Sequence, residues 1–351
     1  MNELVLNETP IRTSRNFNIN NIEIDCNIPE NILGFSNLEI KNENAKIKID
    51  ENISINKKLT YGVGTILTDK KSNKTLKIEI DSKENKEVFL DFKFDKKNNV
   101  LFDNIEIIAN ENTSATVIIK YTCEENFEYF HNLVLKTVGK NNSNLNVIII
   151  NFMNLESHNF MSIENQIKTS AKVNYKIIDF GGKESITNFY SNLLEKEAEN
   201  TVDVIYLGEE KQLFDLNYIE ELRGEKSNAS IEVQGALNDL SKKHFKGTID
   251  FKKGAKKAIG YENDACMLLS DMAKSLSLPM LLCSEEDVEG NHSSSAGKIG
   301  KKELFYIQSR GFNQKEATKL MVRAKFNRII ESIESNELKE EILQKIDEKL
   351  D

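Results

Sequence analysis

From about residue 45 to residue 260 the chain alternates apolar and polar side chains over short stretches. Leu76, Ile78 and Ile80 form one such run, and Val88, Leu90, Phe92 and Phe94 another. Val202, Val204 and Tyr206 repeat the pattern, as do Ala229, Ile231 and Val233. A period of two is the mark of a β-strand with one face inward. Strand-like segments begin near Leu145, Lys172, Thr201 and Ser227, at intervals of roughly 26 to 30 residues, a spacing that suits the coils of a solenoid. The connections carry Asn, Gly and Lys rather than long amphipathic helices, which disfavours a βαβ sheet. A sandwich and a parallel β-helix both fit, and periodicity alone does not choose between them.

The pattern changes after Pro279. Helix formers dominate from Lys302, and Asn313 with Glu316 has the spacing of a capping box, so a helix starts there. Ala317, Leu320, Met321 and Ala324 form one apolar stripe on it, and Val322, Phe326, Ile329, Ile330 and Ile333 a second, which predicts cover on more than one side. A last helix gathers Leu338, Ile342, Leu343, Ile346 and Leu350 on one face. That face docks either back onto the β part or onto a partner. No helical period is found between Leu4 and Asn31.

Charge and composition narrow the function. The 351 residues carry a net charge of −9, which argues against binding to a phosphate backbone and so against a nucleic-acid partner. The apolar run Val147 to Ile150, with Phe152 and Met153, is strand-sized, and no run approaches the ~20 residues of a membrane span. Met1-Asn2-Glu3-Leu4 has neither a basic nor an apolar leader segment, which predicts a cytoplasmic protein. Cys26, Cys123, Cys266 and Cys283 are too dispersed for a disulfide framework and are expected as thiols.

Side chains able to bind a metal thicken between residues 262 and 292: Glu262, Asp264, Cys266, Cys283, Glu285, Glu286, Asp287, Glu289 and His292. None has the close CxxC or HxxxH spacing of a prefolded site. His292 stands in a run of small residues, Gly290 to Gly297, read as a loop at the junction of the β and helical parts. There it either reaches the surface or caps the following helix. His244 reads as structural, in a turn entering a strand, while His131 and His158 stand alone. Ser293-Ser294-Ser295 beside a histidine lacks the elbow of a hydrolase, and no phosphate-binding glycine loop is present.

The C-terminal third carries an ordered set of motifs: Asp287-Val288 through His292, Lys298-Ile299-Gly300, Glu303-Leu304-Phe305-Tyr306, and Ser309-Arg310-Gly311-Phe312 followed by Glu316-Ala317. In this set it resembles the SufB/SufD family of iron–sulfur cluster assembly scaffolds. Upstream, Asn263 to Ser270 resembles the family's last β-helix coil. The resemblance implies a mainly β protein, a right-handed parallel β-helix with a C-terminal α-helical subdomain. The implied segments are an N-terminal extended piece over 1–40, a β-helix core over 41–285 and a helical subdomain over 286–351. It implies a non-enzymatic scaffold in complex with SufB and the SufC ATPase, a transient cluster or iron being held at the interface with SufB.

Asp264 stands where SufB members keep a functional cysteine, and His292-Ser293 where they have a His-Glu pair, so the SufD branch is the better match. His292 then carries over as the interface ligand, with Cys266 the weaker one. Phe305, Tyr306, Arg310, Gly311 and Leu320 carry over as SufC-docking residues. The family's N-terminal helical region is missing or short here, and Gly290-Asn291 replaces a cysteine common just before the histidine. The sequence assigns no flavin, and exposed strand edges allow a homodimer when SufB is absent. Two other readings stay open: a secreted-type β-helix acting on polysaccharide through paired carboxylates, and a purely structural interaction module.

Overall fold

A computed structural model describes residues 3–12, 19–42, 44, 46–51 and 53–351; Met1 and Asn2, part of the leader argument above, lie outside them. The chain opens with β1 (Glu3–Leu6) and β2 (Ile22–Asp25), which pair antiparallel, then β3 (Leu38–Asn42), β4 (Ile47–Glu51) and one helical turn, α1 (Thr65–Thr68). Sixteen strands follow. They are β5 (Lys74–Ile80), β6 (Lys86–Phe94), β7 (Val100–Ala109), β8 (Ser114–Cys123), β9 (Phe130–Gly139), β10 (Asn144–Phe152), β11 (His158–Ile167) and β12 (Lys172–Asp179). The second half comprises β13 (Glu184–Leu193), β14 (Glu199–Gly208), β15 (Leu213–Leu222), β16 (Asn228–Leu237), β17 (Lys242–Phe251), β18 (Ala258–Leu268), β19 (Lys274–Cys283) and β20 (Val288–Lys298). Three helices end the chain: α2 (Lys301–Ser309), α3 (Gln314–Glu331) and α4 (Asn336–Lys349).

The odd strands from β5 to β19 form one parallel sheet and the even strands from β6 to β20 the other. Two strands make one coil, so sixteen make eight, and the fold is a parallel β-solenoid. Residues stack in columns: Val147, Tyr175, Val202, Ile231, Glu262 and His292 are successive register partners. The spacing read from the sequence is this column step, and its four starting points fall at the starts of β10, β12, β14 and β16. The antiparallel strands β3 and β4 cap β6 and β5 at one end. At the other end β19 and β20 are the outermost strands of their sheets among the described residues.

The turns between odd and even strands explain how the coils close without helices. Asn112, Asn142, Ser170, Glu197, Lys226 and Lys257 occupy one equivalent place and all have left-handed backbone, φ 52 to 58°. Their amides bond the next coil's turn, as in Ser170 N to Lys196 O at 2.9 Å. The turns therefore stack as the strands do, and the backbone bonds offset the strain of a positive φ.

Inward alternate residues of both sheets fill the solenoid, and both outer faces are covered. On the even sheet, Val322, Phe326, Ile329 and Ile330 of α3 and Leu338, Ile342 and Ile346 of α4 pack against Ile148, Ile150, Ile178 and Ile205. The last helix thus docks back onto the β part. The expectation of cover on more than one side of α3 is met in part: its second stripe is buried, and of the first stripe Ala317 is buried and Met321 half-buried, while Leu320 and Ala324 stay exposed. The capping box of Asn313 and Glu316 is present.

On the odd sheet, Leu4, Leu6, Ile22 and Ile24 pack on Phe102, Phe130, Phe160 and Ile186. Asn7 pins this strap: its Nδ2 donates to Asp215 Oδ1 at 2.6 Å, and its carbonyl accepts from Lys246 Nζ at 2.9 Å. Among the described residues no helix is long and apolar enough to cross a membrane.

Candidate functional site at the open end of the solenoid

His292 does not lie in a loop. It sits in β20, paired residue for residue with β18 from Ala258↔Val288 to Leu268↔Lys298. Small residues read as loop formers, but Ser and Ala also suit an edge strand whose second side is free. The solenoid therefore continues through residue 298, and helix begins at Lys301. From Glu289 onward every residue of β20 is exposed.

The inward face of β18 carries an unusual set. Ala258, Gly260, Glu262, Asp264 and Cys266 alternate as the buried positions. Register partners in a parallel sheet face the same side, so His292 stands over Glu262, Ser294 over Asp264 and Ala296 over Cys266. Asp264 pairs with Lys243 of β17, Oδ2 to Nζ 2.5 Å, both side chains being sealed from solvent. Ser294 Oγ also donates to Asp264 Oδ2, at 3.4 Å.

Glu262 is 0% exposed, and neither carboxyl oxygen has a partner. Burial first, and then the charge of Asp264, push its pKa up to about 8. Gly247 makes its room: a Cβ there would stand 2.3 Å from Oε1. Burial also pushes the Cys266 thiol up, against the charge of Lys243 and hydrogen bonds with Tyr206 and Ser275. Cys266 shares the inward face with Asp264, as its two-residue offset predicted. It lies four positions from Glu262, ~13 Å along the strand, so the fold does not bring it beside His292.

Among the described residues no three His, Cys, Asp or Glu side chains could together hold a metal ion. The imidazole and carboxyl at this end are at most part of a ligand set. A groove of about 1010 Å³ lies elsewhere, between the cap strands and the start of α4, and none of the candidate residues lines it.

The docking candidates form a second surface. No residue of α2 is buried, and Phe305 and Tyr306 are 71% and 59% exposed. Arg310 lies over the Tyr306 ring at 5.2 Å and donates to its hydroxyl at 3.1 Å. Gly311, at φ +102°, makes the turn into α3, beyond which Leu320 is also exposed.

The family profile described as "SUF system FeS cluster assembly, SufBD core domain" matches residues 92–325, two thirds of the chain. The chain belongs to the SufB/SufD family. It is similar to the iron–sulfur cluster assembly protein SufD of Bacillus subtilis, 22% identical over 256 residues, covering 71% of this chain and 58% of that protein. The SufD protein of Escherichia coli is 27% identical over 114 residues, 32% of this chain and 27% of its own length. A SufBD family protein of Pyrococcus horikoshii is 32% identical over 119 residues, 34% of this chain and 26% of its own length. The chain thus spans less than two thirds of these relatives, and the named relatives place it on the SufD-like side of the family.

The SufBD match takes in the open end, α2 and most of α3, and leaves out the N-terminal strap and α4. The strap covers part of what a reading of single residues missed. His158, beneath it, is held by Glu184 at 2.7 Å from Nδ1. Burial works against a charged ring there, yet hydrogen bonding and electrostatic interaction with Cys26 and Glu184 carry His158 up to about 10. His131 is wholly buried inside the coil, Nδ1 2.7 Å from Asn159 Oδ1 and Nε2 3.1 Å from Asp103. The chain of bonds continues through Ser185 and Asp179 to Asn151. His244 lies within β17, its Nδ1 3.5 Å from Asp215, on the face that the strap covers. Aligning coils at the column step would have exposed His131, which shares a column with Asn159 and Ser185.

Proposed function

We propose that this chain is the SufD-like subunit of an iron–sulfur cluster assembly scaffold. It pairs through its open end with a SufB-type partner and docks a SufC-type ATPase through α2 and the start of α3. The observation that carries the reading is the open end itself: two adjoining edge strands with free backbone groups, His292 on the outermost one, and oxygen donors directly beneath. An exposed edge is a template for another chain's strands, and imidazole with carboxylate suits a borderline metal.

The chain supplies no chemistry of its own in this reading. Iron and sulfide are cargo, His292 is the ligand this chain offers, and energy comes from the ATPase subunit. Phe305 and Tyr306 anchor that subunit, since exposed aromatics beside an arginine are the side chains that interfaces favour. The polysaccharide reading loses its support here: Glu262 and Asp264 are sealed inside the coil rather than set on a face that a sugar chain reaches.

The test is co-purification with SufB and SufC, wild type beside His292→Ala, followed by iron and sulfide quantitation after anaerobic reconstitution. The expected result is an intact complex that loses its cluster in the variant. An intact complex with undiminished cluster reduces the chain to a structural partner, and failure to form a complex rejects the assignment.

A further inference from the structure

We infer that Glu262 is a second side chain through which this chain holds a divalent transition-metal ion at the open end, beside His292. The inference rests on reading that end as the assembly face, and it adds a ligand from the strand beneath. Glu262 and His292 are register partners on adjacent strands. Such strands lie ~4.8 Å apart, so the two side chains leave the same face one coil apart. Metal bonds to nitrogen and oxygen are ~2 Å long, and one ion between the two groups spans that separation.

The position of Glu262 is otherwise hard to account for. A buried carboxyl is retained either as a neutral acid with hydrogen bonds or next to a cation. Glu262 has no hydrogen-bond partner. The two buried cations of β17 are both engaged elsewhere, Lys243 by Asp264 at 2.5 Å and Lys246 by Asp215 at 2.6 Å. Gly247 gives the carboxyl its space, where any side chain would collide with it. Its column holds Tyr175, Val202 and Ile231 in the preceding coils, so apolar packing would be the ordinary solution at this place. Only the last covered coil carries an acid there, directly under the exposed strand.

The donors decide the class of ligand. One imidazole nitrogen and one carboxylate suit borderline divalent ions, ferrous iron among them, better than a purely soft thiolate-bound metal. No third ligand is in place among the described residues. The site is therefore a half-site, completed by side chains that a partner brings across the open edge.

The experiment uses the co-purified complex, freed of metal and titrated anaerobically with Co(II), whose visible absorption reports ligation. Glu262→Gln keeps the size of the side chain and removes its charge. Glu262→Met is the apolar alternative, and the variant that unfolds at the wild-type urea concentration is the one read. Glu220→Gln is the control, because Glu220 is also wholly buried without a partner but lies on β15, behind β17 and β19.

The expected result is Co(II) affinity lowered about tenfold or more by the Glu262 substitution and by His292→Ala, with Glu220→Gln unchanged. Loss of affinity in His292→Ala with wild-type binding in the Glu262 variant overturns the inference and leaves the assembly face intact. Unchanged binding in both overturns both. An equal loss in Glu220→Gln shows a general effect of buried acids and also overturns it.

Discussion

The ion pair of Lys243 and Asp264 is the sharpest place to test how the end of the solenoid is held together. Both side chains are sealed, at 0% and 1% exposure, and the contact is 2.5 Å. Asp264→Asn leaves the lysine charge buried opposite an amide, and Lys243→Met strands the carboxylate. Each single substitution is expected to cost ~3–5 kcal/mol, because the remaining charge has lost its compensation. Replacing both, as Lys243→Met with Asp264→Leu, removes the two desolvation penalties together and is expected to fall within ~1 kcal/mol of wild type. With a slope of about 3 kcal/mol per molar urea, each single variant lowers the unfolding midpoint by roughly 1–1.7 M.

The chain contains no tryptophan, so far-UV circular dichroism follows the transition. Coils of a solenoid can open separately, and amide exchange across β17 to β20 shows where the loss falls. Single variants costing under ~1 kcal/mol would show that the pair is hydrated and that the interior of this end is not the dry environment argued here. A double variant as unstable as the singles would show that packing, not charge, sets the cost.

Three further outcomes follow from other parts of the molecule. Phe326→Ala empties the centre of the contact between α3 and the even sheet, where the ring lies 6.3 Å from Phe180; a loss of ~3–5 kcal/mol is expected, with amide exchange rising in α3 and α4 and not in β9 to β13. Asp179 is pushed up to about 6 by burial, with hydrogen bonds from Ser185 and Asn151 opposing. Its native form therefore keeps a proton that the unfolded chain releases near pH 4. The stability it contributes is full below about pH 4 and is lost as pH rises through about 6, by ~3 kcal/mol in all. Asp179→Asn removes that contribution, so stability from urea midpoints falls ~3 kcal/mol less across the window than in wild type. Phe305→Ala with Tyr306→Ala leaves thermal unfolding within about 1 °C, since both rings are exposed, and abolishes co-purification with the ATPase subunit; retained binding would move the docking surface elsewhere.

The alternation in residues such as Val88, Leu90 and Phe92 showed the strands, and the step between Leu145 and Lys172 showed the coil. What hid the choice between sandwich and solenoid was turn chemistry. Left-handed turn positions advertise themselves when filled by glycine, but here Glu197, Lys226 and Lys257 fill them. Stacked backbone bonds, which no local pattern reveals, hold them there. Glu262 and Asp264 stood among the metal-binding candidates, but their burial was not legible. Charged residues in an alternating strand are normally its solvent side, and only coil-to-coil register shows that these two continue columns of inward residues. His292 was legible as a distinctive residue through its resemblance motif, while its strand was not, because three serines in a row carry no strand signal.

The two ends of the solenoid differ in kind. One is closed by β3 and β4, whose strands run against the direction of the sheet, and the other stops on strands that run with it. The cap breaks the parallel register at one tip, while the other tip keeps it. A strand laid along the open end can extend the ladder in its own direction, whereas one laid along the cap meets a strand of the opposite sense, so the two tips are not interchangeable as edges.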